Sequence, residues 1–225
     1  MIVNGSAEAP ARARRGAAHA DPGLVRLLEA VRACRVCARD LPLGPRPLLQ
    51  VGAGARILIV GQAPGRRAHA SGIPWGDPSG ERLRAWMGIS TELFYDASSV
   101  AIIPMGYCYP GRDRHGDRPP RRECAELWLA HLLAELPRVE LTLLVGSHAQ
   151  HHFLAGRSKR SLTVTVRAWR EYAPRYLPLP HPSPRNQPWL ARNVWFEQEL
   201  LPTLRERVAA LTSRLRRRGA HGPPA

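Results

Sequence analysis

Arg56-Ile57-Leu58-Ile59-Val60-Gly61-Gln62-Ala63-Pro64-Gly65 carries an apolar run straight into a turn bounded by glycines. A short run without polar alternation suits a strand covered on both faces, as in parallel sheets with crossover helices. Three more runs share the pattern, Val100 to Pro104, Leu141 to Val145 and Tyr176 to Leu179, and helical material separates each from the next. The pattern predicts an α/β fold: a three-layer sandwich with a central four-stranded, mostly parallel sheet flanked by helices. One helix is predicted from Asp21 to Cys37, where Leu24, Leu27, Leu28 and Val31 share a face behind an Asp-Pro start. Others are predicted around Gly80 to Met87, Glu123 to Leu136, Ser147 to Leu154 and Trp189 to Leu211.

The 225 residues hold 33 Lys and Arg against 18 Asp and Glu, a formal charge of +15, and 44% are hydrophobic. That apolar share builds a core and excludes a wholly disordered chain. The charge attracts phosphate, so DNA or RNA is the first partner to consider. Part of it falls in Arg-rich ends, and the single lysine is Lys159. Residues 1–20 read as a flexible basic arm, 21–211 as one domain without repeat or linker, and 212–225 as a flexible basic tail. No run reaches the roughly 18 residues of a membrane span, and the start lacks the apolar centre of a secretory signal. The expected setting is the cytoplasm.

In open parallel sheets ligands bind beyond the carboxyl ends of the strands. Those ends read Gly61-Gln62-Ala63-Pro64-Gly65, then Met105-Gly106-Tyr107-Cys108, then Gly146-Ser147, then His181-Pro182-Ser183-Pro184. Backbone N–H groups of a Gly-bounded turn can face an anion or a base carbonyl. Trp75 and Asp77, two positions apart ahead of a helix, offer a stacking surface and a carboxylate; a packed ring and a helix cap are the alternative reading. His181, between two prolines at a strand end, is a candidate acid-base or hydrogen-bonding group, or a histidine that only holds its loop.

Gly61-Gln62-Ala63-Pro64-Gly65 and His181-Pro182-Ser183-Pro184 resemble the two signature motifs of the uracil-DNA glycosylase superfamily. The likeness runs in order from about Cys34 to Val208 and is strongest to its iron–sulfur branches, families four and five. It implies an enzyme that flips uracil, or another deaminated base, out of DNA and hydrolyses the N-glycosidic bond to leave an abasic site. The chain departs from the pattern in three places. Ala63 stands where the best-known branch has a water-handling Asp, Gln62 where family four has Glu, and Pro104 or Met105 where an Asn reads the uracil edge. Gly76-Asp77-Pro78-Ser79-Gly80, however, resembles the family-five segment whose Asp is the proposed catalytic carboxylate.

The resemblance therefore implies Asp77 and His181 as catalytic, with Gln62 a further candidate for handling water. Gly61, Ala63, Pro64, Gly65, Trp75 and Met105 would bind the base, and Ser147, Pro182, Ser183, Pro184, Arg185 and Asn186 the DNA. The four cysteines, Cys34-x2-Cys37 and Cys108-x15-Cys124, resemble the ligands of a [4Fe-4S] cluster in those branches. Four thiolates with one tight pair can also hold zinc, and spacing does not identify the metal. The expected partner is DNA carrying uracil or other deaminated bases, met by a monomer at the nucleoid. The competing reading is a noncatalytic nucleic-acid-binding module with a structural metal site made by the four cysteines.

Overall fold

Ile57, Leu58, Ile59 and Val60 are all buried and form β1 (Ile57–Val60), an inner strand of a four-stranded sheet. The remaining strands are β2 (Val100–Ile102), β5 (Leu141–Val145) and β6 (Tyr176–Leu179), in the order β2-β1-β5-β6. All three pairings are parallel, with Ile59 opposite both Ile102 and Leu143, and Val145 opposite Leu179. A small antiparallel hairpin, β3 (Arg112–Asp113) and β4 (Gly116–Asp117), stands apart from this sheet. The computed structural model describes residues 21–114 and 116–220, with side chains through 213. The expected arm at 1–20 lies outside the described residues.

Strand side chains alternate between faces, and each face of the sheet carries its own core. On one, Ile57, Ile59, Ile102, Leu143 and Leu179 pack against Leu83, Trp86, Phe196, Leu200 and Leu204. On the other, Leu58, Val60, Ala101, Ile103 and Leu144 pack against Leu24, Val31, Leu129, Leu132 and Leu154. Helices thus cover both faces, the three-layer arrangement read from the apolar runs. No helix among the described residues is long and apolar enough to cross a membrane.

Two boundaries differ from the sequence reading. The first helix, α1 (Pro22–Ala33), is capped by Asp21, whose side chain accepts from the Gly23 N–H at 2.7 Å, but it stops at Ala33. Cys34 is extended (ψ 133°), so the two N-terminal cysteines lie beyond the helix instead of on it. The last helical stretch breaks after Arg192, restarts through a π turn at Phe196–Leu200 and continues to Ala220. Its backbone thus runs helical past the boundary drawn at 211; Leu and Arg are good helix formers and let the last helix continue. Residues 221–225 lie outside the described part.

Two further helices flank the first turn. α2 (Arg66–Ser71) follows Gly65, and α3 (Pro78–Met87) starts behind Asp77, whose Oδ1 accepts from the Gly80 N–H at 2.9 Å. A β-carbon on Gly80 would sit 1.8 Å from the Trp75 carbonyl oxygen, so only glycine allows this helix to begin so close to the preceding loop. Helix propensity favours Ala over Gly by about 1 kcal/mol, and the clash opposes it. Gly80→Ala is expected to lower the unfolding free energy by about 2–3 kcal/mol, within the overpacking range. Urea denaturation checks the sign; stabilisation would show that the loop yields.

Candidate active site

The carboxyl ends of β1, β2 and β6 open into a cleft of about 210 Å³. The turn after β1 forms one wall, with Gly61, Gln62, Ala63, Pro64 and Gly65 all lining it. The Met105 and Gly106 N–H groups donate to the Gly61 and Gln62 carbonyls at 2.9 Å each and pin this turn to the chain after β2. Trp75 and Asp77 line the cleft from the loop ahead of α3; His181, Ser183 and Arg185 come from the segment after β6.

Trp75 is set by its backbone. It has φ +58°, a left-handed conformation uncommon for a large side chain. Its neighbours hold it there: Tyr95 Oη donates to the Pro74 carbonyl at 3.0 Å and Arg84 Nη1 to the Trp75 carbonyl at 3.4 Å. The indole lies over Gly61, where a β-carbon would come within 2.9 Å of Trp75 Cζ2, and its ring centroid is 5.6 Å from that of His181. One glycine therefore brings a strand end, an indole and an imidazole together.

His181 is fixed through its own loop. The Ser183 N–H donates to His181 Nδ1 at 3.2 Å, the Asn186 amide to the His181 carbonyl at 2.7 Å, and Arg82 Nη1 to the Ser183 carbonyl at 3.2 Å. Because Nδ1 accepts, the proton of the neutral ring sits on Nε2, which is left as a donor. Burial pushes the imidazole pKa down, while the Asp77 and Asp117 carboxylates pull the other way. The net result is a ring neutral at physiological pH that can donate one hydrogen bond.

Asp77 is half-buried, one oxygen engaged by the helix start and the other toward Gly65: a β-carbon there would lie 3.7 Å from Asp77 Oδ2 and 3.8 Å from Asp117 Oδ2. Asp117, at the end of the hairpin, also lines the cleft. The sequence reading did not include it, because the stretch around it is polar and aperiodic. Its signal was the Gly116-Asp117 pair, a common turn chemistry. Gln62 Nε2 donates to the Arg118 carbonyl at 3.1 Å and so ties the first turn to this hairpin.

Other expected site residues fall elsewhere. Met105 lies outside the cleft; it packs in the core of the opposite face with Ile103 and Tyr107, and the cleft receives Ile102 and Pro104 instead. Pro182, expected to bind DNA, is buried, while Pro184 and Arg185 are exposed. Ser147 is exposed at the first turn of the helix after β5, outside the cleft lining. Gly146 beside it comes close to the His181 loop, its β-carbon position 3.9 Å from His181 Cβ. The Asn186 amide is engaged within its own loop.

The four thiols are free. Cys37 and Cys108 pack with Leu41 in a small apolar cluster, and the Tyr107 N–H donates to Cys124 Sγ at 3.4 Å. Burial raises all three buried thiols, Cys108 to about 11 and Cys124 to about 12, and neighbouring cysteines add to the rise. Among the described residues no group of three or more His, Cys, Asp or Glu side chains closes around a point that would hold a metal ion.

A family model for the uracil DNA glycosylase superfamily matches residues 50–205. The match spans the sheet and every cleft residue named above, and it begins after Cys34 and Cys37. The tautomer can be checked without any substrate. Nitrogen NMR is expected to find His181 protonated on Nε2 alone at neutral pH, taking a second proton only below about pH 6.5, the ordinary imidazole value. An imidazolium signal at pH 7 would contradict the hydrogen-bond assignment.

Proposed function

The chain belongs to the uracil DNA glycosylase superfamily, and from that premise we propose that it excises uracil and other deaminated bases from DNA by hydrolysing the N-glycosidic bond. The observation that carries this reading is a single cleft in which a neutral imidazole donor and a carboxylate flank an indole. Breaking the bond between C1′ and the base nitrogen sends the electron pair to the base and leaves cationic character on the sugar. The two charges need opposite partners.

His181 Nε2–H serves the anion pole, donating to the base oxygen as charge develops there. Asp77 serves the sugar pole: a water oxygen bonds to C1′ while its proton passes to the carboxylate. Trp75 offers the face on which the extruded base stacks. Duplex DNA hides the target bond, and flipping costs a few kcal/mol, so backbone contacts must hold the opened strand. Arg185, exposed at the cleft edge, suits a phosphate. Gln62 supports the hairpin through Arg118 more directly than it supports water.

Pro104 brings no side-chain donor or acceptor to the cleft. Reading of the base edge then falls to backbone groups, which favours tolerance for hypoxanthine and xanthine beside uracil. For the cysteines the proposed occupant is a [4Fe-4S] cluster on Cys34, Cys37, Cys108 and Cys124, with zinc as the alternative. Three buried thiols, each raised in part by a neighbouring cysteine, support a shared ligand. A bound cluster would tie the segment after α1 to the chain after β2.

Labelled uracil, hypoxanthine and xanthine DNA, followed by alkali, is expected to show strand scission; intact strands with tight binding would favour the noncatalytic module. His181→Ala is expected to slow single-turnover excision about 100-fold, near 3 kcal/mol in the barrier, with little effect on binding. The wild-type rate is expected to stay flat above pH 7 and fall only below about pH 6.5, because a second proton occupies the Nδ1 lone pair that accepts from the Ser183 N–H and so unseats the ring. A rate falling as pH rises through the imidazole range would contradict a neutral donor. Anaerobically purified protein is expected to be brown with roughly four iron atoms per chain. A colourless protein with one zinc would assign the thiols to the other metal.

A further inference from the structure

The cleft contains two carboxylates, and only Asp77 has a place in the mechanism above. Asp117 reaches the same space from a different element, the β3–β4 hairpin. Three contacts make that placement specific. Gln62 Nε2 holds the Arg118 carbonyl at 3.1 Å, the Arg118 N–H donates to the Gly111 carbonyl at 2.9 Å, and Arg185 Nη1 lies 3.2 Å from where a β-carbon on Gly116 would stand. Gly116 has φ +135°, so its own backbone also favours glycine. The residue before Asp117 is thus bare, with the 181–186 segment closing against it.

Arg112 faces Asp117 across the hairpin, which would suit a surface ion pair. No such pair is formed among the described residues; the ion pairs present involve other carboxylates. Asp117 and Asp77 instead come within 3.8 and 3.7 Å of the same point above Gly65. A sugar near that point would lie within reach of both carboxylates.

Resting on the glycosylase reading, we propose that Asp117 is a second carboxylate facing the reacting sugar, stabilising its cationic character while Asp77 takes the proton of water. Asp77 is constrained by its helix start and presents one oxygen. Asp117 is exposed at a hairpin end and brings a second carboxylate to the cleft. Two charges also spread the attraction around the ring, so departure of the base is favoured before the water bonds.

The test uses duplexes carrying two abasic mimics, a pyrrolidine with a cationic ring nitrogen and an uncharged tetrahydrofuran. The wild type is expected to bind the cationic duplex at least about tenfold more tightly. Asp117→Asn is expected to reduce that preference about tenfold while changing affinity for the neutral duplex less than about twofold, the order expected for one screened charge contact. Asp113→Asn, which alters net charge equally on the same hairpin, is expected to leave the preference intact. Gln62→Ala, which releases the hairpin, is expected to behave like Asp117→Asn. A full preference in Asp117→Asn, or equal loss on both duplexes, would overturn the inference and leave the glycosylase reading standing. A wild type indifferent to the cation would overturn both.

Discussion

The seat of the Trp75 indole over Gly61 is the constraint from which the site follows. Gly61 ends the first strand, and the missing side chain lets a large ring lie across that end. The ring demands a left-handed backbone at Trp75, a strained state that persists only where surroundings over-determine it. Arg84, Tyr95 and the bare Gly80 supply those surroundings. Asp77 then follows two residues later at a helix start, with one oxygen fixed and the other turned toward Gly65. The position of a carboxylate is thus decided by steric room at a strand end.

Charge at the other pole is decided by a single backbone donor. Ser183 N–H points at Nδ1, so the proton of the ring is directed to Nε2, and burial keeps a second proton away. Two carboxylates nearby would by themselves favour imidazolium. Desolvation outweighs them, and an imidazole that stays neutral donates without presenting a cation to the sugar side of the same cleft. The segment after β6 is consequently built of polar groups that serve each other, and its serine and asparagine work inside the loop as well as at its surface.

The sheet was legible because its strands are short apolar runs with no alternation, which only burial on both faces explains. The first turn and His181 were legible because strand ends of a parallel sheet open on one side, and Trp75 and Asp77 because an aromatic ring and a carboxylate stand two residues apart just ahead of a helix. Met105 shows where reading by position stops: one step along an extended chain moves a side chain to the other face, and a strand end leaves that parity open. Pro182 was expected to meet DNA together with its polar neighbours, yet it is buried. The hairpin was hidden since two-residue strands of Arg, Asp and Gly carry no periodicity. The halt of α1 before the cysteines was hidden because Cys34-Arg35-Val36-Cys37 contains no glycine or proline to mark a stop.

At the outer strand of the sheet, the Arg175 and Leu179 carbonyls accept from the Thr142 and Gly146 N–H groups, so alternate residues of β6 face its neighbour and Pro178 faces away. A proline there removes a donor from the open side, where an unpaired strand would otherwise offer a template for another chain. A strongly basic protein crowds along any polyanion it meets, and crowding raises the chance of edge-to-edge pairing between copies. Pro178 gives this molecule a blunt margin, so that high local density need not lead to aggregation.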